Sequence, residues 1–104
     1  MPSDPQRHIY DFVRSHGLVA DPTARLLDLA SEVGEVAKEL LKATHYGVAP
    51  FTPSAAWAEE LGDVYFSLLC LADATDVDLD EALDRVLAKY AHRLAERGDA
   101  SSGR

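Results

Sequence analysis

The sequence predicts an all-α fold: a four-helix subunit with two long antiparallel central helices, assembling into a helical-bundle oligomer. Three observations carry that expectation. Apolar residues recur at helical spacing in four separate stretches of the 104-residue chain. Three of those stretches open with an Asp-Pro or Thr-Pro step and the fourth with a capping box, all of them helix-start chemistry. No segment alternates polar and apolar residues as a half-buried strand would.

The first helix is expected to start at Asp4, with Pro5 at its first helical position. Ile9, Phe12 and Val13 recur on one face, and Ser15-His16-Gly17 reads as the stop. Asp21-Pro22 repeats the start signal, and the second helix runs to about Thr44. Leu26, Leu29, Ala30, Val33, Val36, Ala37 and Leu40 share one of its faces, while Asp28, Glu32, Glu35 and Glu39 form a stripe along the edge of that face. His45-Tyr46-Gly47 ends it. Thr52-Pro53 marks a third start, for a helix running to about Ala74. From Leu61 to Ala72 its only polar side chains are Asp63, the Tyr65 hydroxyl and Ser67, so a second subunit is expected to cover part of it. Asp78-Leu79-Asp80-Glu81 is a capping box. The fourth helix carries Leu79, Ala82, Leu83, Val86, Leu87, Tyr90 and Leu94 and ends near Arg97-Gly98. Residues 1–98 form one domain, and 99–104 read as a small, polar, flexible tail.

Ten basic residues against eighteen acidic give a net charge of −8, which does not attract a nucleic-acid polymer. No run of apolar residues is long enough for a membrane span, and the N-terminus lacks the pattern of a signal peptide. A single cysteine, Cys70, excludes an intramolecular disulfide and fits a reducing cytoplasm. A cytoplasmic location is therefore expected.

The chemistry concentrates in Glu32-Val33-Gly34-Glu35 and its echo, Glu60-Leu61-Gly62-Asp63. Carboxylates three residues apart share a helix face. Two such pairs facing each other would gather four negative charges, a repulsive arrangement that a divalent cation would relieve. Asp63 is the most telling of the four, because Asp is a poor helix-interior residue and costly to bury alone. Within the most apolar helix it needs either an arginine, such as Arg25, Arg85 or Arg93, or a metal. Oxygen-only donors favour Mg2+ or Mn2+ over zinc, and Mg2+ so bound also takes substrate phosphates. His45, Tyr46, Phe51 and Trp57 cluster around the loop after the second helix. One or two of them would stack on a base or close the core. Lys38 and Lys42 read as a solvated face.

Glu32-x-x-Glu35, followed after 24 residues by Glu60-x-x-Asp63, resembles the signature of MazG-type nucleotide pyrophosphohydrolases, the all-α NTP pyrophosphatase superfamily. The blocks Glu32-Val33-Gly34-Glu35-Val36-Ala37-Lys38-Glu39 and Glu59-Glu60-Leu61-Gly62-Asp63-Val64 resemble the family's first two. Asp78-Leu79-Asp80-Glu81-Ala82, then Lys89-Tyr90-x-x-Arg93, resembles its closing helix, so the likeness spans residues 20–97.

The resemblance implies hydrolysis of nucleoside triphosphates to the monophosphate and pyrophosphate. It assigns Mg2+, or Mn2+ in its place, to Glu32, Glu35, Glu60 and Asp63. A glutamate of the first block, Glu32, Glu35 or Glu39, would orient water toward the α-phosphorus. Lys89 and Arg93 would neutralise phosphate charge. Tyr90 stands where the family commonly has Asn, and would either donate to a phosphate or join the core. Trp57 is a candidate for the base. The resemblance also implies a homodimer at least, with pairing into tetramers. A hydrolase of a phosphoribosyl intermediate and a non-catalytic helical dimerisation module remain open as alternatives.

Overall fold

In the computed structural model, which describes residues 4–98, the chain forms α1 (Asp4–Ser15), α2 (Pro22–Ala43), α3 (Trp57–Ala74) and α4 (Leu79–Arg97). The tail expected at 99–104 lies outside the described residues. No helix among the described residues is long and apolar enough to cross a membrane.

Local chemistry sets the helix ends. α1 closes in a Schellman motif. Gly17, at φ +65°, donates to the Arg14 carbonyl at 3.3 Å, and Leu18 donates to that of Val13 at 2.8 Å. At the start of α2 the Asp21 carboxylate accepts from the Ala24 N–H at 2.9 Å, and Pro22 occupies the first turn. Asp78 caps α4 by accepting from the Glu81 N–H at 3.2 Å, while the Glu81 carboxylate turns to Arg85 instead of closing the box. Gly98, at φ +80°, donates to the Leu94 carbonyl and ends α4.

α3 begins four residues later than the Thr52-Pro53 step predicts. Residues 52–54 instead form no regular structure and 55–56 a turn, across which the Trp57 N–H donates to the Ser54 carbonyl at 3.1 Å. Ala56 then stands at the N-cap with no side-chain bond, and Glu59 and Glu60 in the first turn meet the helix dipole instead. The indole of Trp57 lies edge-on to Phe51, ring centroids 4.9 Å apart, which ties the start of α3 to the loop before it.

α3 is the central helix. α2 packs along it, and α1 packs on it from a second side. Val13 of α1 and Leu69, Cys70 and Ala72 of α3 are the buried apolar residues among those described. Phe12 meets Phe66 edge-on at 6.2 Å, and Arg14 places its Nη1 3.1 Å from both carboxylate oxygens of Asp73. α4 packs against no other helix to a comparable extent. Its leucines Leu83, Leu87 and Leu94 are 55%, 56% and 52% exposed. The radius of gyration is 16.8 Å, against about 13 Å for a compact domain of this length. The subunit is thus open. α3 shows Leu61, Tyr65 and Leu68 to solvent, α2 shows Leu26 and Leu27, and α4 leaves its leucine stripe uncovered.

Candidate functional site

Glu32, Glu35 and Glu39 follow one another at three- and four-residue steps along α2, so they line one strip of its surface. Glu60 lies one turn into α3, and Asp63 one turn further. Because α2 packs along α3, the two strips meet. The Glu60 carboxyl records that meeting: it is held above its usual value, first by partial burial, then by the negative charge of Asp63, Glu39, Glu35 and Glu32 in that order. Glu39 acts more strongly than Glu35, and Glu35 more than Glu32. Such an order fits the first turn of α3 lying beside the last turns of α2, as in an antiparallel pair. The fold therefore brings together all five acids singled out in the sequence.

Asp63 does not sit as expected. The apolar composition of α3 suggested burial, yet in the subunit Asp63 is exposed, while Ser67, one turn on, is buried. Asp63 shares its side of α3 with the buried Ser67 and Cys70, but it lies nearer the start of the helix, where that cover has ended. Nor do the candidate arginines serve it. Arg25 lies 3.9 Å from Asp28, Arg85 pairs with Glu81, and the Arg93 guanidinium lies over the Tyr90 ring at 5.8 Å. Among the described residues, no three His, Cys, Asp or Glu side chains are gathered closely enough to hold a metal as they stand. The acids are within electrostatic reach but not at ligand spacing, since like charges on flexible stems spread apart.

Gly34 and Gly62 interrupt the two acidic pairs, and a Cβ on either would meet nothing within 4 Å. Neither glycine is needed for packing within the chain, though each costs about 1 kcal/mol relative to alanine in a helix. The acid-bearing strips are therefore slender and open.

The basic candidates stand elsewhere. Lys89, Tyr90 and Arg93 form their own group on α4, with the Lys89 Nζ 5.3 Å from the centre of the Tyr90 ring. The subunit does not bring them to the acids, because α4 does not pack along α2 or α3. Tyr90 follows Leu83 and Leu87 on the same helical stripe and precedes Leu94, so its ring shares the apolar face. Trp57 is half-buried against Phe51, one turn before Glu60.

One organising residue escaped the sequence reading. Thr44 is buried at the end of α2. Its hydroxyl donates to the Leu40 carbonyl at 2.9 Å and accepts from the Gly47 N–H at 3.0 Å. It anchors a turn in which His45, Tyr46 and Gly47 have φ values of 50°, 60° and 91°. Three successive left-handed residues, two of them not glycine, are costly and hold Tyr46 in the open. A threonine ahead of a His-Tyr-Gly stop was the only signal for it.

A model of the MazG nucleotide pyrophosphohydrolase domain matches residues 21–97, nearly all of the described chain beyond α1. The chain belongs to the MazG nucleotide pyrophosphohydrolase family. It is 39% identical over 79 residues to the uncharacterised protein YpjD of Bacillus subtilis, a match covering 73% of this chain and 69% of that one. Its fold is similar to the crystal structure of the putative pyrophosphatase YpjD from the same organism. That likeness has a TM-score of 0.71 at 34% identity and covers 84% of this chain and 91% of the other. A Bacillus-conserved MazG protein, a nucleotide pyrophosphohydrolase, is similar with a TM-score of 0.69 at 30% identity, over 84% and 85% of the two chains. This MazG domain is accordingly an enzyme of the nucleotide pyrophosphohydrolase class, and its acid-lined α2–α3 pair falls within the matched region.

Proposed function

We propose that this MazG domain hydrolyses nucleoside triphosphates, ordinary or modified (d)NTPs, to nucleoside monophosphate and pyrophosphate in a Mg2+-dependent reaction. Its role would be clearing unwanted nucleotides from the cytoplasmic pool. The observation that carries the reading is the convergence of carboxylates from two helices on Glu60, whose carboxyl is raised by partial burial and by the charges of Asp63, Glu39, Glu35 and Glu32. Their oxygen-only chemistry suits a hard divalent cation. Glu32, Glu35, Glu60 and Asp63 would hold Mg2+, or Mn2+ in its place. Bound there, the cation would neutralise phosphate charge and polarise phosphoryl oxygens.

The chain's own groups divide the remaining work. Glu39, on the same strip of α2, accepts a proton from water and aims that water at the α-phosphorus; Glu32 or Glu35 takes this part if not committed as a ligand. Lys89 and Arg93 receive the phosphates, arginine through its planar fork and lysine as a point charge. Tyr90 donates its hydroxyl to a phosphate, and Trp57 offers a ring edge to the base. Because the subunit holds α4 away from the acids, these groups meet in an oligomer. We propose a homodimer at least, with a dimer of dimers as the full assembly. The open α4 stripe and the large radius of gyration support it.

The test is pyrophosphate release from a panel of ordinary and modified (d)NTPs, with phosphoribosyl-ATP alongside, in Mg2+ and in EDTA. Turnover of one or more (d)NTPs, abolished by EDTA, is expected. A folded chain that turns over none of them removes the proposal, and turnover of phosphoribosyl-ATP alone replaces its substrate.

A further inference from the structure

α4 carries the groups proposed to receive the phosphates, yet packs along no other helix of its own chain. Within its own chain, its direction is set where it begins. At that point a side chain from α1 intervenes. Gln6 is buried, and its amide bridges the connection between α3 and α4. Its Nε2 donates to the Val77 carbonyl at 2.9 Å, and its Oε1 accepts from the Leu79 N–H at 2.8 Å. The two bonds straddle Asp78, the residue that caps α4. Each joins residues more than seventy positions apart in the chain. Beside them opens a cleft of about 320 Å3 between α1 and the end of α3, lined in part by Tyr10, Arg14, Asp73 and Asp76. Little solid packing therefore steadies the start of α4 on that side. α1 is itself held to α3 by Val13, by Phe12 against Phe66, and by the Arg14–Asp73 pair, so Gln6 ties the start of α4 to the α1–α3 pair.

The leverage is large. At 1.5 Å per residue, Arg93 lies about 21 Å along α4 from Leu79, and a tilt of roughly 10° at Leu79 moves it by roughly 4 Å. A misplacement of about 1 Å at a substrate-positioning group can cost on the order of 100-fold in rate. We infer that Gln6 is a positioning residue: its hydrogen bonds to Val77 and Leu79 aim α4, and with it Lys89 and Arg93, from a helix outside the family-matched region 21–97. The inference rests on the reading of Lys89 and Arg93 as phosphate contacts.

Gln6→Met keeps the length and volume of the side chain and removes the bonds to Val77 and Leu79. It should raise the KM for the nucleoside triphosphate about tenfold or more, with a smaller change in kcat and no change in the Mg2+ concentration for half-activation. Gln6→Glu adds a signature that a packing role would not give. Its neutral carboxyl can still donate to Val77 and accept from Leu79, but its carboxylate can only accept. The KM of that variant, taken relative to that of the wild type at each pH, should climb with pH. Spin labels at Thr23→Cys in α2 and Ala95→Cys in α4, both exposed, read the aim directly when labelled chains are diluted into unlabelled ones. Cys70, buried, stays unlabelled. The distance distribution should shift or broaden in Gln6→Met. An unchanged KM together with an unchanged distribution overturns the inference. If Gln6→Met does not fold, the pH series of Gln6→Glu decides alone. A wild-type chain without turnover would remove the nucleotide reading, and the label distances would still show whether Gln6 aims α4.

Discussion

Glu60 sits where the two acidic strips meet, and its carboxyl is pushed upward by partial burial and by four neighbouring carboxylates. The folded chain therefore holds the Glu60 proton more tightly than the unfolded chain does. Stability falls as pH rises from the ordinary carboxyl range through the raised value, and above it Glu60 opposes folding. In EDTA near pH 7, Glu60→Gln should melt at a higher temperature than the wild type, and the difference should close as pH falls toward about 4. Added Mg2+ should reverse the order, because a ligand bound to the folded state stabilises only the chain that retains its donors. A thermal melt in which the variant is less stable in EDTA would show that the acids are not in conflict. Asp63 is exposed in the subunit, so replacing it removes charge without opening a cavity. Asp63→Asn should reduce metal-dependent turnover by more than about 100-fold, while circular dichroism and sedimentation stay those of the wild type. Retained activity would take Asp63 out of the ligand set.

At the level of elements, the helices were largely legible because their ends are written in local chemistry. Asp21 and Asp78 cap, Pro22 opens α2, and Gly17 and Gly98 supply the left-handed residues that close α1 and α4. The start of α3 was not, since Thr52-Pro53 carries the same local signal but the chain turns first and seats Trp57 against Phe51. α1 shows how little apolar contact secures an element here. Val13 is 1% exposed and is its one buried apolar side chain. Val13→Ala should destabilise the fold by about 2 kcal/mol in urea titration, with an unchanged denaturant slope. A cost within experimental error would mean that α1 is not held to α3 through this residue.

For the whole molecule, the subunit leaves Leu83, Leu87 and Leu94 of α4 exposed, along with Leu26 and Leu27 of α2 and Leu61 of α3. Apolar area of that extent is ordinarily covered by a partner. Charges placed on the α4 stripe, as in Leu83→Glu with Leu87→Glu, should shift sedimentation toward the monomer. Turnover should fall with it, because Lys89 and Arg93 lie on the same helix. A wild-type chain that sediments as a monomer at micromolar concentration would contradict the proposed assembly.

The acids themselves were legible from spacing alone, since residues three and four apart on a helix must share a face. What spacing could not supply is the company each face keeps. Only the packing of α2 along α3 joins Glu32, Glu35 and Glu39 to Glu60 and Asp63, and only the folded chain ends the cover over that side of α3 one turn short of Asp63. The motif likewise placed Lys89 and Arg93 with the acids, whereas the subunit holds them apart. Helix identity, caps and the family signature are local, and one sequence determines them. The direction of α4 and the exposure of Asp63 depend on contacts between residues far apart in the chain, Gln6 with Val77 and Leu79 among them, and those only the tertiary structure decided.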